Sequence, residues 1–175
     1  MTITVSESPR LLMPGMADFE PGIERYRVTG GAVTAVLLGA GDRLQVIDPE
    51  GCQPVEVAAF DRDGHSDPGL LGDLPHGASG APATGIAAIL ASDQHDARRV
   101  ADALSGKGID LAAATAVHLF APDSPAGLEA WLTATTDLVC VIGVTGGKML
   151  PHEQNPPTDI ITFVHRTAPP APGLE

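Results

Sequence analysis

From Glu24 onward the chain sustains no long apolar run. It alternates short β-branched or apolar stretches with glycine-rich joints. "ERYRVTG", "AVTAVLLG" and "RLQVID" follow one another in this way, with Gly30-Gly31 and "GAGD" at 39–42 as the turns. Runs this short, bounded by turn residues, predict successive strands and not helices. "TAVHLFA", "DLVCVIGV" and "DIITFVHR" repeat the pattern later in the chain, and the last two read as its clearest buried strands.

The joints carry their own predictions. "DPEG" at 48–51 has Asp, Pro and Gly at the first, second and fourth positions of a type I turn. It is expected to join "RLQVI" to "QPVEVAAF" as a hairpin. In the second strand Val55, Val57 and Ala59 alternate with Glu56 and Ala58, which predicts one buried face. About twenty-five residues dense in Gly and Pro follow, over 61–85, longer than the ~12–15 residues usual for a loop inside a compact domain. "GIAAILASD" reads as strand or buried helix. Asp93 is placed to cap a helix over "QHDARRVADALSGKG", where Val100 and Leu104 share a face and Gly106 or Gly108 ends it. "SPAGLEAWLTATTD" predicts a second short helix, with Ser124 as its cap and Pro125 at its first position.

These elements make an α+β fold, a mainly antiparallel β core (sandwich or barrel) with two short helices. Residues 1–22 read as an extended lead-in, 23–167 as a single β-rich domain, and 168–175, "APPAPGLE", as a Pro-rich linker to a further domain. The 175 residues are 43% apolar, enough for a real core. Aromatics make up only 3%, so that core must be built from Val, Ile, Leu and Ala.

The formal net charge of -12 argues against nucleic acid and against anionic membranes as partners, since both need a positive surface. No run approaches the ~20 apolar residues that span a bilayer, and the start lacks the pattern of a secretory signal. Cys52 and Cys140 are far apart and expected to be free, as in a reduced, cytoplasmic protein.

Motifs for metal, nucleophile and dinucleotide chemistry are missing. The six histidines form no H-x-H or H-E-x-x-H pair, and no C-x-x-C occurs. "DRDGHSD" has its glycine fourth, where a calcium loop needs it sixth, and reads as a solvated acidic turn. "GGAVTAVLLGAGD" contains G-x-G but leads into a strand. What is left is a set of strand-end carboxylates, Asp48, Glu56 and Asp159. Two of them brought together could act as an acid–base pair or hold an amine. Each also has a plain structural reading: Asp48 as turn chemistry, and Asp159, after Asn-Pro-Pro, as a strand entrance satisfying loose amides.

"RLQVIDPEGCQPVEVAAFD" and "TTDLVCVIGVTGGKMLPHEQNPPTDIITFVHR" together resemble the urea-carboxylase-associated domain family, in its hairpin and in its closing strands with the "PPTDI" entrance. Its members include carboxyguanidine deiminase subunits. The domain also stands, as tandem copies, before the folate-binding module of trimethylamine-oxide demethylases. The resemblance implies a zinc site in catalytic copies, built from cysteines after a central His-Asp pair. Here His95-Asp96 is present, no cysteine follows it, and Cys52 and Cys140 cannot supply three thiolates. Asp159 is the family position that matches cleanly.

Two functions follow. In the first, the chain is a degenerate, non-catalytic scaffold or oligomerisation domain of a folate-linked N-methylamine-oxide demethylase. Its partners are then other domains of the same polypeptide and further copies of itself. This segment would hold no metal and no cofactor, zinc and tetrahydrofolate belonging to the parent protein. In the second, it is a deiminase-like enzyme or binder of cationic amine or guanidinium compounds, using Asp48, Glu56 and Asp159.

Overall fold

A computed structural model describes residues 22–145 and 159–167. Nine strands and two helices run in the order β1 (Ile23–Val28), β2 (Val33–Leu38), β3 (Arg43–Asp48), β4 (Val55–Phe60), β5 (Ser79–Pro82), α1 (Thr84–Leu90), α2 (His95–Ser105), β6 (Thr115–Leu119), β7 (Leu128–Thr133), β8 (Leu138–Val144) and β9 (Ile160–His165). They form two antiparallel sheets, one ordered β1-β9-β3-β7 and the other β2-β8-β4-β6-β5. The α+β class with a mainly β core is therefore correct, and its architecture is two stacked sheets with a helical layer.

The first four strands alternate between the sheets, because each strand has an apolar face that needs an opposing layer. Val28, Leu44, Val46, Leu132, Ile160 and Val164 of the four-stranded sheet meet Val36, Val57, Val117, Cys140, Ile142 and Val144 of the five-stranded one. Burying each Val, Leu or Ile contributes about 1.5–3 kcal/mol before entropy is charged against it. The far face of the five-stranded sheet, with Ala58, Phe60, Ala116 and Val141, packs on Ile86 and Leu90 of α1 and on Ala97 and Leu104 of α2.

Four local expectations need correction. "DPEG" joins no hairpin: β3 pairs with β7 and β9, whereas β4 pairs with β6 and β8, so the turn carries the chain from one sheet to the other. β4 is buried on both faces and not on one, since the helices cover its second face. "SPAGLEAWLTATTD" contains strand β7 in place of a helix. Ala130 and Leu132 point inward with a period of two, and the Ser124 hydroxyl bonds across the chain to Asp48 instead of capping. Asp93 does not cap α2: the N-cap is Gln94, and the Asp93 carboxylate takes Arg98 at 2.5 Å.

Elsewhere the reading of the elements stands. "GIAAILASD" resolves to α1, and Leu104 is buried with Val100 packed beside it. The long Gly/Pro stretch contains a short 3-10 turn at Pro68–Leu71 and the edge strand β5. The lead-in, the "KMLPHEQNPPT" segment with His152, Glu153 and Asn155, and the Pro-rich end lie outside the described residues. No helix among the described residues is long and apolar enough to cross a membrane.

Candidate functional site

All three strand-end carboxylates lie at one end of the sandwich. β3 ends at Asp48 as β4 begins at Val55, and the register sets Val55 opposite both Val144 and Leu119. Asp48 lies opposite Leu128 at the start of β7, and β9 begins next to Asp159. Topology therefore delivers Asp48, Glu56 and Asp159 to the same rim. Each one is engaged by different partners.

Asp48 is fully buried. Its Oδ1 accepts the Gly51 N–H at 2.8 Å, and its Oδ2 accepts the Gln53 N–H at 3.1 Å and the Ser124 hydroxyl at 3.3 Å. The same turn is clasped from outside, where Cys52 N–H donates to the Ser124 carbonyl at 2.9 Å and Gly127 N–H to the Asp48 carbonyl at 2.8 Å. The crossing is so close that a Cβ on Gly51, whose φ is +83°, would stand 2.7 Å from the Ala126 nitrogen. Cys52 itself sits at φ 61°, in the left-handed region that side chains disfavour. Asp48 thus ties the crossover between the sheets to the segment that leads into β7.

Glu56 is 4% exposed and does comparable work for a different element. Its Oε1 accepts Gly85 N–H at 3.0 Å and its Oε2 accepts Ile86 N–H at 2.8 Å. α1 has no side-chain cap of its own, so a strand residue 30 positions earlier satisfies its loose amides. His118 Nε2 lies 3.9 Å from Glu56 Oε1 and 3.3 Å from the Pro82 carbonyl. Asp159 sits at the entrance of β9 in an ion pair with the Arg27 guanidinium, which is mostly exposed.

Between Ser124 and His118 opens a cleft of about 560 Å³. His76, His118, Asp123, Ser124 and Glu129 provide its polar lining and Leu119, Phe120 and Leu128 its apolar part; among the described residues no Lys or Arg lines it. Phe120 has φ 58°, a strained backbone held in place by its surroundings. Reading the sequence missed this cleft, because Glu129 belongs to the stretch taken for a helix and Asp123 stands just before it. A second cavity of about 600 Å³, at the other end, is lined by Leu37, Ile109 and Val139 with Arg62, Lys107, Asp61 and Asp137.

Among the described residues the donors do not assemble the zinc site that the resemblance implies. Cys140 is wholly buried in the centre of β8, where desolvation pushes its thiol up to about 12, and Cys52 is exposed on the rim. His95, at the start of α2, is exposed on the helical layer. Among the described residues the cluster able to present three ligand atoms is Asp61, Asp63 and His65. There the Asp61 carboxylate accepts the N–H groups of Asp63 and His65, both at 2.9 Å, which lower its pKa with the His65 bond foremost. These three residues belong to the "DRDGHSD" turn, and all lie at or near the surface.

No family model matches the chain. Over 156 residues, 89% of its length, it is 35% identical to the trimethylamine-oxide aldolase of Ruegeria pomeroyi, of which the match spans 19%. A crystal structure of a DUF1989 family protein from Silicibacter pomeroyi aligns over 83% of this chain and 80% of that one, with TM-score 0.46 and 14% identity. The chain is therefore similar, through nearly all of its length, to about a fifth of a much longer protein.

Proposed function

We propose that this chain is a degenerate, non-catalytic copy of the urea-carboxylase-associated domain. In this reading it serves as a scaffold or oligomerisation module in a cytoplasmic, folate-linked demethylase of N-methylamine oxides. The similarity to trimethylamine-oxide aldolase carries the proposal. The two free cysteines suit a reducing compartment. Release of formaldehyde, its transfer to tetrahydrofolate, and any zinc would belong to other domains of the polypeptide. The engaged carboxylates and the separated thiols support the reading, because groups that hold turns and helix ends are poor candidates for proton transfer. Metal analysis of the full 175-residue chain, purified with zinc present and then dialysed, tests it. Background metal is expected, and one tightly held zinc per chain contradicts the proposal.

The acidic cleft favours a second reading, a binder of small cationic amines or guanidinium compounds. Asp123 and Glu129 would supply the charge, with Asp48 and Glu56 behind them through Ser124 and His118. Calorimetric titration with trimethylamine N-oxide and with guanidinium compounds tests this reading. Saturable binding lost in Asp123→Asn/Glu129→Gln supports it, and a flat titration removes it. Asp159→Asn with binding unchanged removes that residue from the site.

A further inference from the structure

The outer face of the four-stranded sheet has a composition at odds with the rest of the chain. Register sets three rows across it: Ile23, His165, Arg43 and Thr133; Arg25, Phe163, Gln45 and Trp131; Arg27, Ile161, Ile47 and Glu129. This face carries the protein's single tryptophan and three of its ten basic residues, although the formal net charge is -12. Arg43 lies over the Trp131 ring at 4.2 Å, and the His165 ring centroid is 5.0 Å from that of Trp131. Glu129 is occupied by the Gln45 amide at 2.8 Å and Arg27 by Asp159. Arg25 and Arg43 are exposed, and neither has a carboxylate partner among the described residues. Both helices pack on the other sheet. Tryptophan and arginine on one patch, with isoleucines around them, is the composition of an interface hot spot.

We infer that this face docks a second copy of the chain, on its acidic stretch at 61–73. Charge complementarity selects that occupant. Residues 61–73 carry four aspartates, Asp61, Asp63, Asp67 and Asp73, against one cation, and that cation, Arg62, is paired with Asp137 at 2.5 Å. The contact is head-to-tail, since a face bearing Arg25 and Arg43 would repel its own image, and such contacts close into rings or extend as chains. Four strands of six residues make a face roughly 20 Å by 20 Å, or about 400 Å². That is half the ~800 Å² per partner of a standard interface, so the association is weak, near the micromolar range, and sensitive to salt. The inference names the surface that the scaffold reading needs. The two fail separately: bound zinc would sink the first, and a solitary chain the second.

Sedimentation velocity of the full chain from about 1 to 200 µM, at low and at high salt, tests it. The expected result is concentration-dependent association, weakened at least tenfold by high salt, by Trp131→Ala and by Arg25→Glu/Arg43→Glu. The charge-reversed variant should associate again when mixed with Asp63→Arg/Asp73→Arg, a complementation that a merely unfolded variant cannot give. A monomer at every concentration overturns the inference. So does association that survives these changes, fails to complement, or is lost in Leu37→Asp on the opposite layer.

Discussion

The two ends of the sandwich handle their carboxylates in different ways. At one end Glu24 and Asp42 meet Arg166, which donates to Glu24 at 2.8 and 2.9 Å and to Asp42 at 2.8 Å. Charge is met there by opposite charge. The Arg166 hydrogen bond lowers the Glu24 pKa. Burial would raise that of Asp42, but it is outweighed by the Thr167 N–H, Arg166 and the Gly39 N–H, and the net shift is downward. At the other end Asp48 and Glu56 bond to no Arg or Lys among the described residues and are held by backbone amides and a hydroxyl. Both solutions close loops, one with an ion network and one with amides.

The contrast can be broken by substitution. Asp48→Ala should have the largest effect, because it leaves two buried amides and a hydroxyl without an acceptor, at ~1–3 kcal/mol each with partial relief by water. A loss of roughly 3–5 kcal/mol in denaturant unfolding is expected; a loss under 1 would show that the turn does not depend on Asp48. Glu56→Gln keeps one acceptor and should cost about 1–3 kcal/mol. Faster hydrogen exchange confined to α1 should accompany it.

Arg166→Gln should cost ~1–3 kcal/mol at neutral pH, discounted because Glu24 is partly exposed. The sign with pH is fixed by the depressed carboxylates. Their contribution is complete above their ordinary values of 4.5 and 3.8 and is lost as pH falls through the lower folded values. The gap between variant and wild type should thus narrow in acid. Arg62→Ala, at an exposed pair with Asp137, should leave the denaturant midpoint almost unchanged. On the cysteines, a thiol reagent at pH 8 should label Cys52 and spare Cys140 until unfolding.

Strands were legible because their signal is local. "DLVCVIGV" and "DIITFVHR" are apolar over a strand's length, and they became β8 and β9. Pairing was not legible. The turn at Asp48 was recognisable from four residues, but the sheet that each flank joins depends on partners about 80 to 120 positions away. The 124–133 stretch misled for the same reason, since Ser124-Pro125 is a sound helix start whose hydroxyl is claimed by Asp48 instead. Glu56 reaching α1 left no trace in sequence spacing. The cleft is invisible without the crossing that brings Ser124 beside the 48–53 turn.

The central claim is that the rim carboxylates hold the fold and do not react. Its most direct test is formaldehyde release from trimethylamine N-oxide by the full chain, measured beside the unfolding free energies of Asp48→Asn, Glu56→Gln and Asp159→Asn. The account predicts no release above the protein-free rate, with stability lost in the first two variants. Release that any of the three substitutions abolishes while stability stays unchanged would contradict it.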